Sequence, residues 1–268
     1  MTTPTTSPNH TFNVDQLRVN LFKNRQELGL SAAQAVASQI KELQQNQDFV
    51  NIIFASAPSQ NEFLATLAQE SGIDWPRIRA FHMDEYIGLP ADAPQSFGFF
   101  LKEQLFDKVG ITEVYYLDGN AADPAQECRR YSALLEQYPT DIVCLGIGEN
   151  CHIAFNDPHV ADFNDPVLVK QVQLDLTSRV QQVHDECFDA LDQVPEYALT
   201  LTVPALLRGK HLFCMVPAAH KAEAIYHTLV DAVTEEYPAT ILRTHGGASL
   251  FIDADSAKIF LTETSLTE

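Results

Sequence analysis

Phe49-Val50-Asn51-Ile52-Ile53-Phe54-Ala55, Arg79-Ala80-Phe81-His82-Met83, Val114-Tyr115-Tyr116-Leu117 and Asp141-Ile142-Val143-Cys144-Leu145-Gly146 are short, largely apolar runs. Runs of this length read as strands buried on both faces of a parallel sheet. Between them, 61–69, 95–109 and 124–137 read as helices. Earlier in the chain, Ser31-Ala32-Ala33-Gln34 reads as a capping box that opens an alanine-rich helix to about residue 47. The second half continues with strands near 170–176, 198–203, 211–216 and 249–253, and with helices near 180–192 and 218–232. Strand and helix alternate throughout, with no long linker and no fixed-period repeat. The pattern predicts an α/β fold: a single doubly wound, mostly parallel, Rossmann-like sheet with helices on both faces. Residues 1–12 are polar and read as a disordered tail, leaving 13–268 as one α/β domain.

Charge narrows the partners. Seventeen Lys and Arg against 36 Asp and Glu give a net charge of −19, which repels nucleic acid and anionic membranes alike. An anionic substrate would be repelled at long range too, so a phosphate site must be built from local donors. The five cysteines are widely spaced and form no CxxC, the pattern of a reduced intracellular protein without structural zinc. The N-terminal stretch has no signal-peptide character, and no apolar run approaches a membrane span. The expected location is cytoplasmic.

Two segments carry the candidate chemistry. Phe81-His82-Met83-Asp84-Glu85-Tyr86-Ile87-Gly88-Leu89-Pro90 and Gly146-Ile147-Gly148-Glu149-Asn150-Cys151-His152-Ile153-Ala154-Phe155-Asn156-Asp157 each begin where an apolar strand ends. Ligands of open α/β sheets bind beyond strand ends. Asp84 is a carboxylate on a rigid strand end, suited to moving a proton between neighbouring carbons. His152 can shuttle a proton near neutrality, and Asp157 could orient its ring or share that work. Nothing in the sequence surrounds Cys151 with groups that would activate a thiol.

The two segments resemble the signatures of the glucosamine-6-phosphate deaminase/isomerase family, within a superfamily that includes the 6-phosphogluconolactonases. The resemblance spans about residues 15–255 and takes in Tyr116-Leu117-Asp118-Gly119-Asn120-Ala121 and Gln193-Val194-Pro195-Glu196-Tyr197-Ala198-Leu199-Thr200. It implies ring opening, aldose–ketose isomerisation and deamination of an amino-sugar phosphate, with no metal and no other cofactor. Asp84 would then carry the proton from C2 to C1. His152, with Asn150 and Asp157, would open the ring. Ser56, Ser59, Arg179 and Lys221 would hold the phosphate, with Glu85 in the substrate-binding set. The partner is a small sugar phosphate, and a homo-oligomer is possible.

The chain departs from the family pattern in places. The family's ring-opening acid is Asn150 here, which cannot take a proton but can accept a hydrogen bond from the imidazole and fix its tautomer. The family's Glu is Asp157, one methylene shorter, and Cys151 replaces a glycine. A Gly-rich phosphate loop is represented by Ser56-Ala57-Pro58-Ser59-Gln60, where Pro58 removes one N–H donor. The family's allosteric pattern is not recognisable at 158–168. Leu199-Thr200-Leu201-Thr202-Val203-Pro204-Ala205-Leu206-Leu207 looks closer to the lactonase branch. The alternatives are therefore a lactonase-like hydrolase, a sugar-phosphate-binding regulator, and an isomerase for a different sugar of galactosamine type.

Overall fold

The computed structural model describes residues 7–264. In chain order its strands are β1 (His10–Val14), β2 (Leu17–Phe22), β3 (Val50–Phe54), β4 (Ile78–His82), β5 (Asp84–Tyr86), β6 (Glu113–Tyr115), β7 (Ile142–Leu145), β8 (Val169–Gln173), β9 (Tyr197–Leu201), β10 (His211–Val216) and β11 (Ala248–Asp253). The α-helices are α1 (Arg25–Gln44), α2 (Asn61–Leu67), α3 (Phe97–Leu101), α4 (Asp107–Val109), α5 (Pro124–Gln137), α6 (Leu176–His184), α7 (Val203–Leu207), α8 (Ala222–Val230) and α9 (Lys258–Thr264). A π-helical stretch, Lys102–Phe106, joins α3 to α4.

The main sheet has the order β1-β2-β11-β10-β7-β3-β4-β6, and every pair in it is parallel except β1 with β2. All of β3 and β7 is buried, and successive residues point to opposite faces. Ile142 and Cys144 pack with the apolar stripes of α1 and α2, whereas Val143 and Leu145 pack with Tyr131 of α5 and Ile225 of α8. Helices on both faces explain why these strands are continuously apolar rather than alternating.

From β3 the chain steps outward to β4 and β6, then returns to place β7 on the other side of β3. The order reverses between β3 and β7, so a crevice opens beyond their carboxyl ends. The loops that begin at Ala55 and Gly146 stand side by side there, joined by Ala55 N–H donating to Cys144 O at 2.9 Å.

The structure corrects several expectations. His10–Val14 is an edge strand, antiparallel to β2 through a two-residue turn with Asp15 at φ 51°, so 10–12 is not a disordered tail. Phe12 stacks on Phe260 of α9 at 5.7 Å, which fixes the strand. Residues 1–6 of that expected tail lie outside the described residues. The helix expected from Ser31 begins at Arg25 instead. Asn24 is its N-cap, accepting from Glu27 N–H at 2.9 Å, and Glu27 three positions on makes this the true capping pair.

A second sheet, of order β5-β9-β8 and antiparallel, was not expected. The chain leaves β4 at His82, turns through Met83, whose carbonyl accepts from Leu201 N–H at 2.8 Å, and enters the second sheet at Asp84. Asp84 therefore sits at the corner between two sheets. Among the described residues no helix is long and apolar enough to cross a membrane, and no group of His, Cys, Asp and Glu could hold a metal ion.

Candidate active site

The crevice at the switch point is lined by Ser56, Ser59 and Gln60 after β3, by Asp84 at the sheet corner, by Gly146, Gly148 and His152 after β7, and by Lys221 before α8. Asp84 is fixed from below. Its amide and carbonyl lie in β5 opposite Thr200. The carbonyl also faces Nδ1 of buried His82 at 2.8 Å, while His82 Nε2 lies 3.0 Å from Leu117 N–H. An N–H can only donate, so Nε2 accepts and Nδ1 carries the proton, which makes His82 a neutral strap between two backbone segments. Burial lowers its pKa further.

The Asp84 carboxylate has no hydrogen-bond partner among the described residues and is 7% exposed, its open side turned to the cleft. Burial raises its pKa well above the ordinary carboxylate value, and Glu85 adds to the effect. This is a carboxyl group able to hold and release a proton, as proton transfer to and from carbon requires.

His152 stands at the end of a tight loop. Gly148 N–H donates to His152 O at 2.8 Å, Cys151 N–H donates to Gly148 O at 3.0 Å, and Cys151 and Ala154 adopt φ of 67° and 49°. Those left-handed values strain side-chain-bearing residues, a pattern common at functional sites. Nδ1 of His152 lies 2.7 Å from Asn150 Oδ1, 3.1 Å from Asp157 Oδ1 and 2.9 Å from Ser178 Oγ. Two of these neighbours are acceptors, so Nδ1 bears the proton and Nε2 is left with a lone pair. Nε2 has no partner among the described residues.

Asp157 is completely buried behind the imidazole, away from the cleft wall. It accepts from Asn150 Nδ2 at 3.1 Å, from Asp175 N–H at 3.0 Å and from the Ser178 hydroxyl. Burial pushes its carboxyl up, but the bonds and charge of His152, with Ser178 and Asp175, hold it well below the usual carboxylate range. Asn150 and Asp157 thus stand where they orient His152, and neither reaches the cleft.

At the other end, Lys221 is 3% exposed and makes no ion pair among the described residues. Burial lowers its pKa, with Asp185 and Glu149 acting the other way. Ala218, at φ 85° and with its N–H donating to the Asp253 carboxylate at 3.2 Å, turns the chain so that Lys221 ends a 3₁₀ turn. An unpaired ammonium in a cleft wall is a ready partner for an anion. Ser59 Oγ accepts from Gln60 Nε2 at 3.1 Å and lines the cleft, whereas Ser56 donates its hydroxyl to Phe97 O at 3.0 Å. Pro58 opens the 3₁₀ turn Pro58–Gln60, a first-turn position where an N–H would have no intrahelical partner.

Two expected residues do not face the cleft. Arg179 donates through Nη2 to Leu191 O at 3.1 Å and Val194 O at 2.8 Å, clipping α6 to the following turn. Glu85 points behind Asp84, where it accepts four hydrogen bonds from Tyr86, Ser96, Phe97 and Gly98. Conversely, Gln181, Gln182 and Asp185 line the cleft and Ser178 touches the imidazole, though none was singled out. Glu149 N–H donates to Gln181 Oε1 at 2.8 Å, docking α6 on the His152 loop. The helix was expected from 180 and begins at Leu176, with Asp175 as its N-cap. An Asp followed by Leu-Thr-Ser was the available signal.

An unpartnered buried carboxyl group, an imidazole of fixed tautomer and a buried ammonium meet at one switch point, a set suited to acid–base enzyme chemistry. The family model for glucosamine-6-phosphate isomerases/6-phosphogluconolactonase matches residues 23–251, and the chain belongs to that family. Among its relatives, glucosamine-6-phosphate deaminase of Exiguobacterium sibiricum is 35% identical over 195 residues, 73% of this chain and 75% of that one. The enzyme of the same name from Bacillus cereus is 32% identical over 191 residues, 71% of each. The solved structure of a monomeric glucosamine-6-phosphate deaminase superposes with a TM-score of 0.83 at 29% identity, covering 90% of this chain and 99% of that one. A 6-phosphogluconolactonase from Thermotoga maritima gives 0.72 at 20% identity, covering 88% and 98%, a likeness of fold alone.

Proposed function

We propose that this protein is a deaminase of the glucosamine-6-phosphate type, converting an amino-sugar phosphate and water into a ketose phosphate and ammonia. The observation that carries the reading is Asp84: buried, without a protein partner, its pKa raised, and opening into the same cleft as His152.

Substrate phosphate would sit against Lys221 and the Ser59 side of the 55–60 loop, which directs the sugar toward Asp84 and His152. Nε2 of His152 takes the anomeric hydroxyl proton and passes it to the ring oxygen, breaking the C1–O5 bond. Asn150 and Asp157 hold the ring and stabilise the imidazolium formed in between. In the open-chain sugar the carboxylate of Asp84 removes the C2 proton while a proton of the substrate ammonium passes to O1, leaving an enolamine; Asp84 then returns its proton to C1, which makes C2 an iminium carbon. Water then adds at C2 and ammonia leaves. Asn150 accepts no proton in this scheme, so proton transfer in ring opening falls to His152 alone.

Every group named belongs to one chain, so the reading needs no second copy. A cytoplasmic location fits the five free thiols, four of them buried. The lactonase-like segment serves the framework of the site: Thr200 Oγ1 accepts from Phe155 N–H at 3.0 Å and Leu201 O from Asn156 Nδ2 at 2.8 Å. A panel of hexosamine and hexose 6-phosphates, with a 6-phosphogluconate δ-lactone beside it, tests the reading. Ammonia and ketose from a hexosamine phosphate support it. Lactone hydrolysis without ammonia release, or tight binding without any turnover, contradicts it.

A further inference from the structure

Glu85 is 5% exposed and contributes nothing to the cleft wall, yet it is among the most heavily bonded side chains near it. Its Oε1 accepts from Tyr86 N–H at 2.9 Å and Phe97 N–H at 3.1 Å. Its Oε2 accepts from Ser96 Oγ at 2.8 Å and Gly98 N–H at 2.9 Å. Three of the four donors are backbone amides, which cannot reverse their roles, so the arrangement suits a carboxylate and not an amide. The chain of bonds continues. Phe97, held by its amide, offers its carbonyl to Ser56 Oγ at 3.0 Å. Gly98 permits the approach: a Cβ there would stand 2.9 Å from Tyr116 Cδ1 and 3.5 Å from Glu85 Oε2. One carboxylate thus ties β5, which carries Asp84, to the first turn of α3 and through it to the loop after β3.

We propose that Glu85 is a positioning residue, a buried anion that sets where Asp84 stands relative to the 55–60 loop and presents a fixed negative charge to its back. The inference rests on Asp84 being the carrier of the C2 proton. A catalytic carboxylate and a phosphate-holding loop on separate strands need a common reference, because errors of about 1 Å in near-attack geometry cost roughly 100-fold in rate. The charge acts on the proton itself. The titratable and charged groups around Asp84 are Glu85 and Tyr86 on its own strand, His82 from β4, Tyr131 from α5, and His152, Asp185 and Lys221 across the cleft. His82 is neutral by its bonding. After burial, Glu85 is what pushes the Asp84 carboxyl upward.

The test follows kcat and kcat/KM for ammonia release against pH in the wild-type protein and in Glu85→Gln, Glu85→Asp and Ser96→Ala. Glu85→Gln removes the charge, and the acid limb of kcat/KM moves to lower pH by roughly one unit while kcat falls. Glu85→Asp keeps the charge and shortens the reach. Its acid limb stays in place, and kcat drops about ten-fold because the carboxylate no longer spans Ser96 to Gly98. Ser96→Ala touches no substrate; it lowers kcat a few-fold and leaves the limb unmoved. An unshifted limb in Glu85→Gln overturns the charge effect. Wild-type kcat in Glu85→Asp and Ser96→Ala overturns the positioning role, and decides the matter if Glu85→Gln does not fold. A wild-type protein that releases no ammonia from any hexosamine phosphate would instead overturn the functional reading beneath it.

Discussion

A Cβ built on Gly148 would stand 2.0 Å from Cε1 of His152 and 2.3 Å from both ring nitrogens, so the imidazole occupies space that glycine leaves open. Gly148→Ala should displace the ring from Asn150 and Asp157 and lower kcat by about 100-fold, the scale of a lost general acid–base, with a urea midpoint close to that of the wild type. Steady-state kinetics and denaturation on the same preparation check both halves. Cys151 is the opposite case. It lies beside His152, but its thiol donates to Ala224 O at 3.4 Å and burial pushes its pKa up to about 12. Cys151→Ala should keep kcat within a few-fold of wild type and lose about 1 kcal/mol of stability, read from urea unfolding. That Asp84, His152 and Lys221 line one cleft was legible because each sits in a contiguous motif. Ser178, Gln181 and Asp185 were not, since they reach the site from α6 and no local spacing encodes a contact 26 residues away. Arg179 is a cation whose position in a motif did not reveal the carbonyls its Nη2 serves.

At the scale of elements, the parts that were legible are those with one dominant signal. β3 and β7 are continuous apolar runs, and α5 starts at Pro124 behind its Asp123 N-cap and ends at Gln137, as the periodicity expected. The β1–β2 hairpin and the second sheet were hidden for physical reasons. β1 is an edge strand with polar residues alternating, and β5 has only three residues, two of them acidic. The corner between β4 and β5 depends on neutral His82, and this gives stability a pH dependence. Its pKa is lowered by folding, so below pH 6.5 the unfolded chain binds a proton that the native state resists. Stability from this group is complete above pH 6.5 and falls as the pH drops below it. Urea midpoints between pH 5 and 8 should decline on the acid side, and His82→Asn should flatten that part of the curve while lowering stability throughout.

For the whole molecule, a net charge of −19 and the proposed anion site stand in apparent conflict. The fold resolves it locally: of the residues lining the cleft, Lys221 is the one basic side chain besides His152, buried where solvent screens it little. The doubly wound sheet brings it there, because the switch point gathers the loops after β3 and β7 while α8 delivers Lys221 from the far side. The central claim is that Asp84 moves a proton between C2 and C1. Glucosamine 6-phosphate incubated with the protein in heavy water and followed by proton NMR tests it most directly. Wild-type protein should release ammonia and yield ketose phosphate with solvent deuterium at C1. Asp84→Asn should bind the sugar phosphate within a few-fold of wild type yet show deuterium entry and ammonia release slowed by about 1,000-fold. Deuterium entry and ammonia release at wild-type rates in Asp84→Asn would contradict the account.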